Sequence, residues 1–93
     1  MSFPVFFKVI DQDYAEIVLQ RDYEPLAFKQ EMNLVSFTST VDCYVKFNSL
    51  DDKPKRFLAG YTYNYFTPIR LIYSKKAEEQ DGILYIWAEK VIT

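Results

Sequence analysis

Three tyrosines at alternate positions, Tyr61, Tyr63 and Tyr65, are the most conspicuous chemical grouping in the chain. On one strand that spacing puts the three rings on one face, opposite Thr62, Asn64 and Phe66. Two uses of the face stand open. The rings form a ladder over the flank of their own sheet, or they form an amphipathic platform that docks a partner. Tyrosine suits the second use because it offers a large area at small entropic cost, with a hydroxyl at its tip. Such a row also stacks on sugars. Stacking on bases calls for cations that follow the phosphates, and only Arg70, Lys75 and Lys76 are near in sequence. Nucleic acid is therefore not an expected partner.

Other reactive groupings are few. The 93 residues contain no His, which removes Ser-His-Asp and Cys-His arrangements and most zinc sites. Cys43, the single cysteine, has no activating neighbour and falls in an apolar register, where a buried thiol is expected. Both glycines stand alone, so no phosphate-cradling loop exists. Asp11, Asp13 and Glu16 could offer oxygen ligands, but their spacing fits no calcium loop and lacks the turning glycine. A solvated turn at residues 11–13 is expected instead. Glu78, Glu79 and Asp81 beside Lys75 and Lys76 read as a solvated hairpin tip that discourages edge-to-edge aggregation. Neither a catalytic residue nor a metal or cofactor is expected, and the chain does not read as an enzyme.

Composition sets the frame for these groups. Ninety-three residues make one domain, residues 1–93. Apolar residues are 49% and aromatics 18%, with eight Phe and eight Tyr against two Gly, which suits broad pleated surfaces. A net charge of −2 argues against partners found by bulk attraction, nucleic acid and anionic membrane alike. No apolar run is long enough to span a bilayer, and Met1-Ser2-Phe3-Pro4 lacks the basic region of a signal peptide. Synthesis in a reducing cytoplasm is expected from the unpaired cysteine.

The elements follow from period-two patterning. Residues 35–47 alternate without a break. Val35, Phe37, Ser39, Val41, Cys43, Val45 and Phe47 fill one register, and polar or amphipathic residues fill the other. This is a half-buried strand. Thirteen residues exceed the usual strand length of roughly 3–10, so a bend is expected near Thr38-Ser39-Thr40. Strands are also expected at residues 3–10, 15–20, 61–66, 69–74 and 83–92. Residues 26–32 alternate but compete with a single helical turn, and strand is favoured. Pro25 breaks a central ladder, residues 48–56 form a polar loop, and Asp81-Gly82 supplies a positive-φ turn pair. Seven to eight strands joined by polar turns predict an all-β fold, a single-domain antiparallel β-sandwich or jelly roll, with a small barrel as the alternative.

The final stretch departs from simple alternation. Ile83, Tyr85, Trp87 and Val91 share one register, and Leu84, Ile86, Ala88 and Ile92 share the other. A strand apolar on both faces needs a second cover, from a loop of its own chain or from another subunit, and the subunit is favoured because the 48–56 loop is so polar. If Trp87 lies in the core, Trp87→Ala costs about 3–5 kcal/mol. If it lies at an interface, the fold survives and assembly fails.

Three segments carry a family likeness: Ser39-Thr40-Val41-Asp42-Cys43-Tyr44-Val45-Lys46-Phe47-Asn48, Ile69-Arg70-Leu71-Ile72-Tyr73-Ser74, and Asp81-Gly82-Ile83-Leu84-Tyr85-Ile86-Trp87-Ala88. With these the second half of the chain resembles small β-sandwich virion proteins of bacteriophages. The resemblance implies a structural, non-enzymatic part of a capsid or tail, present in many copies, with no catalytic residue to carry over. The stretch from Lys75 to Gln80 departs from it, being longer and more charged than a tight turn requires. The expectation is an assembly protein of the virion, made in the host cytoplasm, that docks on copies of itself or on other virion proteins through Tyr61, Tyr63, Tyr65, Tyr85 and Trp87. The alternative is a monomeric carbohydrate-binding module with a Tyr/Trp platform.

Overall fold

A computed structural model describes residues 8–92, which form eight strands and no helix. The strands are β1 (Lys8–Val18), β2 (Glu24–Met32), β3 (Leu34–Ser39), β4 (Cys43–Phe47), β5 (Lys55–Phe57), β6 (Thr62–Tyr65), β7 (Ile69–Lys76) and β8 (Ile83–Ile92). They make two antiparallel four-stranded sheets, ordered β1-β8-β3-β6 and β2-β7-β4-β5. The pairs nest: β4 with β5, β3 with β6, β2 with β7 and β1 with β8. This is the rolled-up long hairpin of a jelly roll, a β-sandwich as expected.

The central apolar register supplies the core. Val35, Phe37, Cys43 and Val45 are fully buried, with Val41 and Phe47 nearly so. The strand bends as its length required: β3 stops at Ser39, three residues cross over, and β4 resumes in the other sheet. Ser39, the one polar member of the register, closes that turn, its buried hydroxyl donating to the Val41 carbonyl at 2.6 Å. Phe28, Met32, Ile69, Ile72, Leu84 and Ile86 complete the core from three other strands, β2, β7 and β8.

Several boundaries differ from the sequence reading. Residues 11–13 are not a turn, because β1 runs through them as one strand paired along its length with β8, its register slipping once between Val9 and Asp11. The start of the expected first strand, residues 3–7, lies outside the described residues. Polar side chains survive on the inward register there because Asp11 meets partners from the other sheet, an ion pair with Lys29 at 2.8 Å and a hydrogen bond from Gln30. Residues 26–32 are strand, and Pro25 lies inside β2 because β2 is an edge strand whose outer side needs no donor. Lys55 and Arg56 leave the expected loop to form β5 against β4.

The stretch 75–82 is no hairpin. β7 extends through Lys76 and pairs with β2 and β4, whereas β8 lies in the opposite sheet, so the segment is a crossing between layers. Gly82 is not in the left-handed region, where only Asn48 (φ 65°) and Gly60 (φ 83°) are found among the described residues. Asn48 takes that conformation at the end of β4 and binds the chain opposite. Its Oδ1 accepts from Arg70 N at 2.8 Å and its amide donates to the Leu71 carbonyl at 2.7 Å.

Candidate docking face

β8 runs down the centre of its sheet, and its two registers meet different surroundings. Leu84, Ile86 and Ala88 are fully buried in the core. Through Tyr85 and Trp87 the other register faces outward: Trp87 is 43% exposed, and Tyr14, opposite it on β1, is 51% exposed, whereas past Glu89 the alternation inverts, with Val91 buried and Ile92 exposed. The two rings lie 5.8 Å apart at a 57° tilt. One row across this outer face reads Tyr14–Trp87–Ser36–Asn64, and the next reads Glu16–Tyr85–Thr38–Thr62.

Hydrogen bonds order the rows. Ser36 Oγ donates to Asn64 Oδ1 at 2.5 Å, and the hydroxyls of Thr38 and Thr62 bond at 2.9 Å. Trp87 Nε1 donates to Glu89 Oε1 at 2.8 Å, and the Tyr14 hydroxyl donates to Glu16 Oε1 at 3.3 Å. Desolvation, reinforced by the Glu16 charge, raises the Tyr14 phenol above its ordinary pKa. The face is thus aromatic over β1 and β8 and small and polar over β3 and β6. The second row carries the carboxylate of Glu16, and Glu89, paired with Gln12 and Leu34 in the row beyond Trp87, adds a second carboxylate beside the ring.

The tyrosines of the 61–65 row lie elsewhere. Tyr63 and Tyr65 turn inward and pack against the core at the sandwich's β5–β6 side. Tyr63 stacks on Phe57 at 4.5 Å and 15°, and Tyr65 meets Phe47 edge-on at 4.9 Å. Burial raises the Tyr65 phenol, with Tyr63 adding to the shift. Tyr61 precedes β6 in the turn and is 63% exposed. Large rings are needed inside because β5 and β6 span only three and four residues and leave that side of the core poorly covered. Of the five residues expected at the docking surface, only Tyr85 and Trp87 are brought together. Tyr14, which joins them, was hidden in the sequence beside the supposed turn at 11–13.

The outer face of the opposite sheet carries a second grouping, a ladder of cations and tyrosines. Lys46 Nζ lies 4.5 Å from the Tyr23 ring centroid, and Lys75 Nζ lies 4.9 Å from the same ring and 5.8 Å from Tyr44. The Arg56 guanidinium lies 5.5 Å from Tyr44 on the other side. Tyr73 is paired beside Lys46. Arg56 is neutralised by Asp42 at 2.9 Å and Glu78 at 3.5 Å. Lys46 and Lys75 form no ion pair among the described residues. The sequence signal was the second register of 35–47, where Tyr44 and Lys46 alternate with the core. The cross-strand partners were not visible.

Among the described residues no cleft or cavity forms, and no group of carboxylates and thiols converges on a metal position. Asp11 and Asp13 sit on one register of β1 and Glu16 on the other, so the three carboxylates do not meet. Cys43 is fully buried, and desolvation pushes its thiol up, against a smaller opposing effect of Ser39. No protein-family model matches the chain, and no curated protein matches it.

Proposed function

We propose that this chain is a non-enzymatic assembly protein, a minor or decorating component of a phage capsid or tail. It associates with copies of itself or docks on a shell of other virion proteins. The observation that carries the reading is the outward stretch of β8 around Trp87, where Trp87 and the opposing Tyr14 present rings to solvent beside a half-buried Tyr85. Exposed aromatics clustered at the centre of a face are what protein interfaces bury. Repeated docking needs area and complementarity and no reactive group, which agrees with a chain lacking histidine.

Light scattering on the purified protein over a rising concentration series tests this. The expected mass climbs above the 11.1 kDa protomer, and Trp87→Ala holds it at the protomer with the fold intact. A wild-type protein that stays monomeric throughout, and binds no other virion protein, sinks the proposal.

A second reading has one observation in its favour. The hydroxyl and amide groups of Ser36, Asn64, Thr38 and Thr62 lie beside Trp87 and Tyr85 on the same rows, the mixture of rings and hydrogen-bonding groups that a sugar chain requires. Gel retardation by soluble polysaccharides, lost in Trp87→Ala and seen with a monomer, would favour the carbohydrate-binding module.

A further inference from the structure

The four sheet edges discourage strand pairing between copies. β5 and β6 are only three and four residues long, β2 carries Pro25 and a register slip between Ala27 and Met32, and β1 carries Asp11, Asp13 and Glu16. Short strands, proline, bulges and charge are the devices that blunt an edge. Association is therefore left to the two broad faces, and these differ in sign. The outer face of β1-β8-β3-β6 presents Glu16 and Glu89 among Tyr14, Tyr85 and Trp87. The outer face of β2-β7-β4-β5 presents Lys46 and Lys75, which form no ion pair among the described residues, beside Tyr23, Tyr44 and Tyr73.

Resting on the assembly reading above, we infer that copies of this chain stack head to tail, the carboxylate–aromatic face of one on the lysine–tyrosine face of the next. A two-fold dimer would put like faces together, glutamates against glutamates or lysines against lysines, and like charges brought into a desolvated contact are strongly unfavourable. Only the unlike pairing brings carboxylate to ammonium and ring to ring. An interface of this kind uses different patches on the two partners, so it leaves one of each free and continues into a ring or a filament. This gives a small protein a way to form arrays in many copies.

Charge reversal tests it. Two double variants, Glu16→Lys with Glu89→Lys and Lys46→Glu with Lys75→Glu, are compared with wild type by light scattering and sedimentation at low salt. Each variant alone is expected to lose association by at least about tenfold, and an equimolar mixture of the two is expected to regain it. Wild-type association should also weaken as salt rises past roughly 0.1 M. Wild-type-like association in either variant, or loss without recovery in the mixture, overturns head-to-tail stacking and leaves the assembly reading standing. A monomeric wild type removes both. Where a reversal lowers the melting temperature, Glu16→Gln with Glu89→Gln replaces it. Persistence of the wild-type salt dependence in that neutral variant overturns the inference equally.

Discussion

Gly82 lies so close to Val41 that a Cβ on it would fall 2.3 Å from Val41 Cγ2. That approach locks the crossing between β7 and β8 onto the turn between β3 and β4. Thr40 reinforces it, its Oγ1 accepting from Ile83 N at 2.9 Å and its own amide donating to the Ile83 carbonyl at 3.0 Å. Gly82→Ala must displace a side chain held between two turns, and should cost about 2 kcal/mol as an overpacking defect. Gly60→Ala has open space but a φ of 83°, and should cost only about 1 kcal/mol. Urea unfolding of the two variants checks the order, and an equal or smaller loss at Gly82 would contradict the close contact.

Trp87 and Tyr63 should behave oppositely. Trp87 is outward, so Trp87→Ala forfeits the pair with Tyr14 and costs about 1 kcal/mol, not the larger loss of a core tryptophan, while association is abolished. Tyr63 is packed over Phe57, so Tyr63→Ala should cost about 2–4 kcal/mol and leave the association of the folded fraction unchanged. Thermal melts beside light scattering separate the two.

Ser74 and Ser39 are both buried, with different hydrogen bonding. Ser74 Oγ has no partner among the described residues, whereas Ser39 Oγ serves the Val41 carbonyl. Ser74→Ala should therefore be neutral or stabilise by up to about 1 kcal/mol, and Ser39→Ala should destabilise by about 1–2 kcal/mol. Denaturant midpoints of the two single variants decide it.

Cys43 should resist thiol reagents in the native protein and react at once in denaturant. Its burial leaves no access and its raised pKa leaves little thiolate. Rapid labelling of the folded protein would place Cys43 outside the core.

Stability should hold steady between about pH 5 and 8, where no histidine titrates, and fall in acid. The carboxyls of Asp11, Asp42 and Asp52 are held below their ordinary pKa. The causes are, in order, Lys29 and Gln30 for Asp11, the Ala59 amide and Arg56 for Asp42, and Lys55 and the Phe47 amide for Asp52. Depressed folded-state values mean that the unfolded chain binds protons first. These contributions are therefore complete above about pH 4 and vanish as pH drops through the lowered values. Melting temperatures across pH 2–8 should show this, with a shallower acid limb in Asp52→Asn. An acid limb unchanged by Asp52→Asn would remove that residue from the account.

The register of the core was legible because it depends on one local rule. Each of Val35, Phe37, Ser39, Val41, Cys43, Val45 and Phe47 is buried, as their spacing of two predicts. The missed boundaries have one cause. Alternation records which side of the chain meets the core and says nothing of which strand lies beside it. The inward side of β3 remains inward after the chain crosses to β4 in the other sheet, so the pattern runs on through the break, and only its length betrays the bend. Polar Asp11 and Asp13 broke the pattern without breaking the strand, because Lys29 and Gln30 arrive from a distant segment to satisfy Asp11.

The tyrosines show the same division. Spacing put Tyr63 and Tyr65 on one face, which is correct for β6, but not on an outward one. Their direction was set by Phe57 and Phe47, which come from other strands and need covering. The pairing of Trp87 with Tyr14, and the ladder of Lys46, Tyr23, Lys75 and Tyr44, join residues far apart in sequence.

By itself the sequence determined that this chain is all-β, where its apolar side lies, and that its thiol is buried, because backbone period and side-chain hydrophobicity are properties of neighbouring residues. The tertiary structure alone decided which aromatic groups face water and that the two faces differ in charge. Those are properties of strands brought side by side, and strand order follows from the nesting of the whole roll.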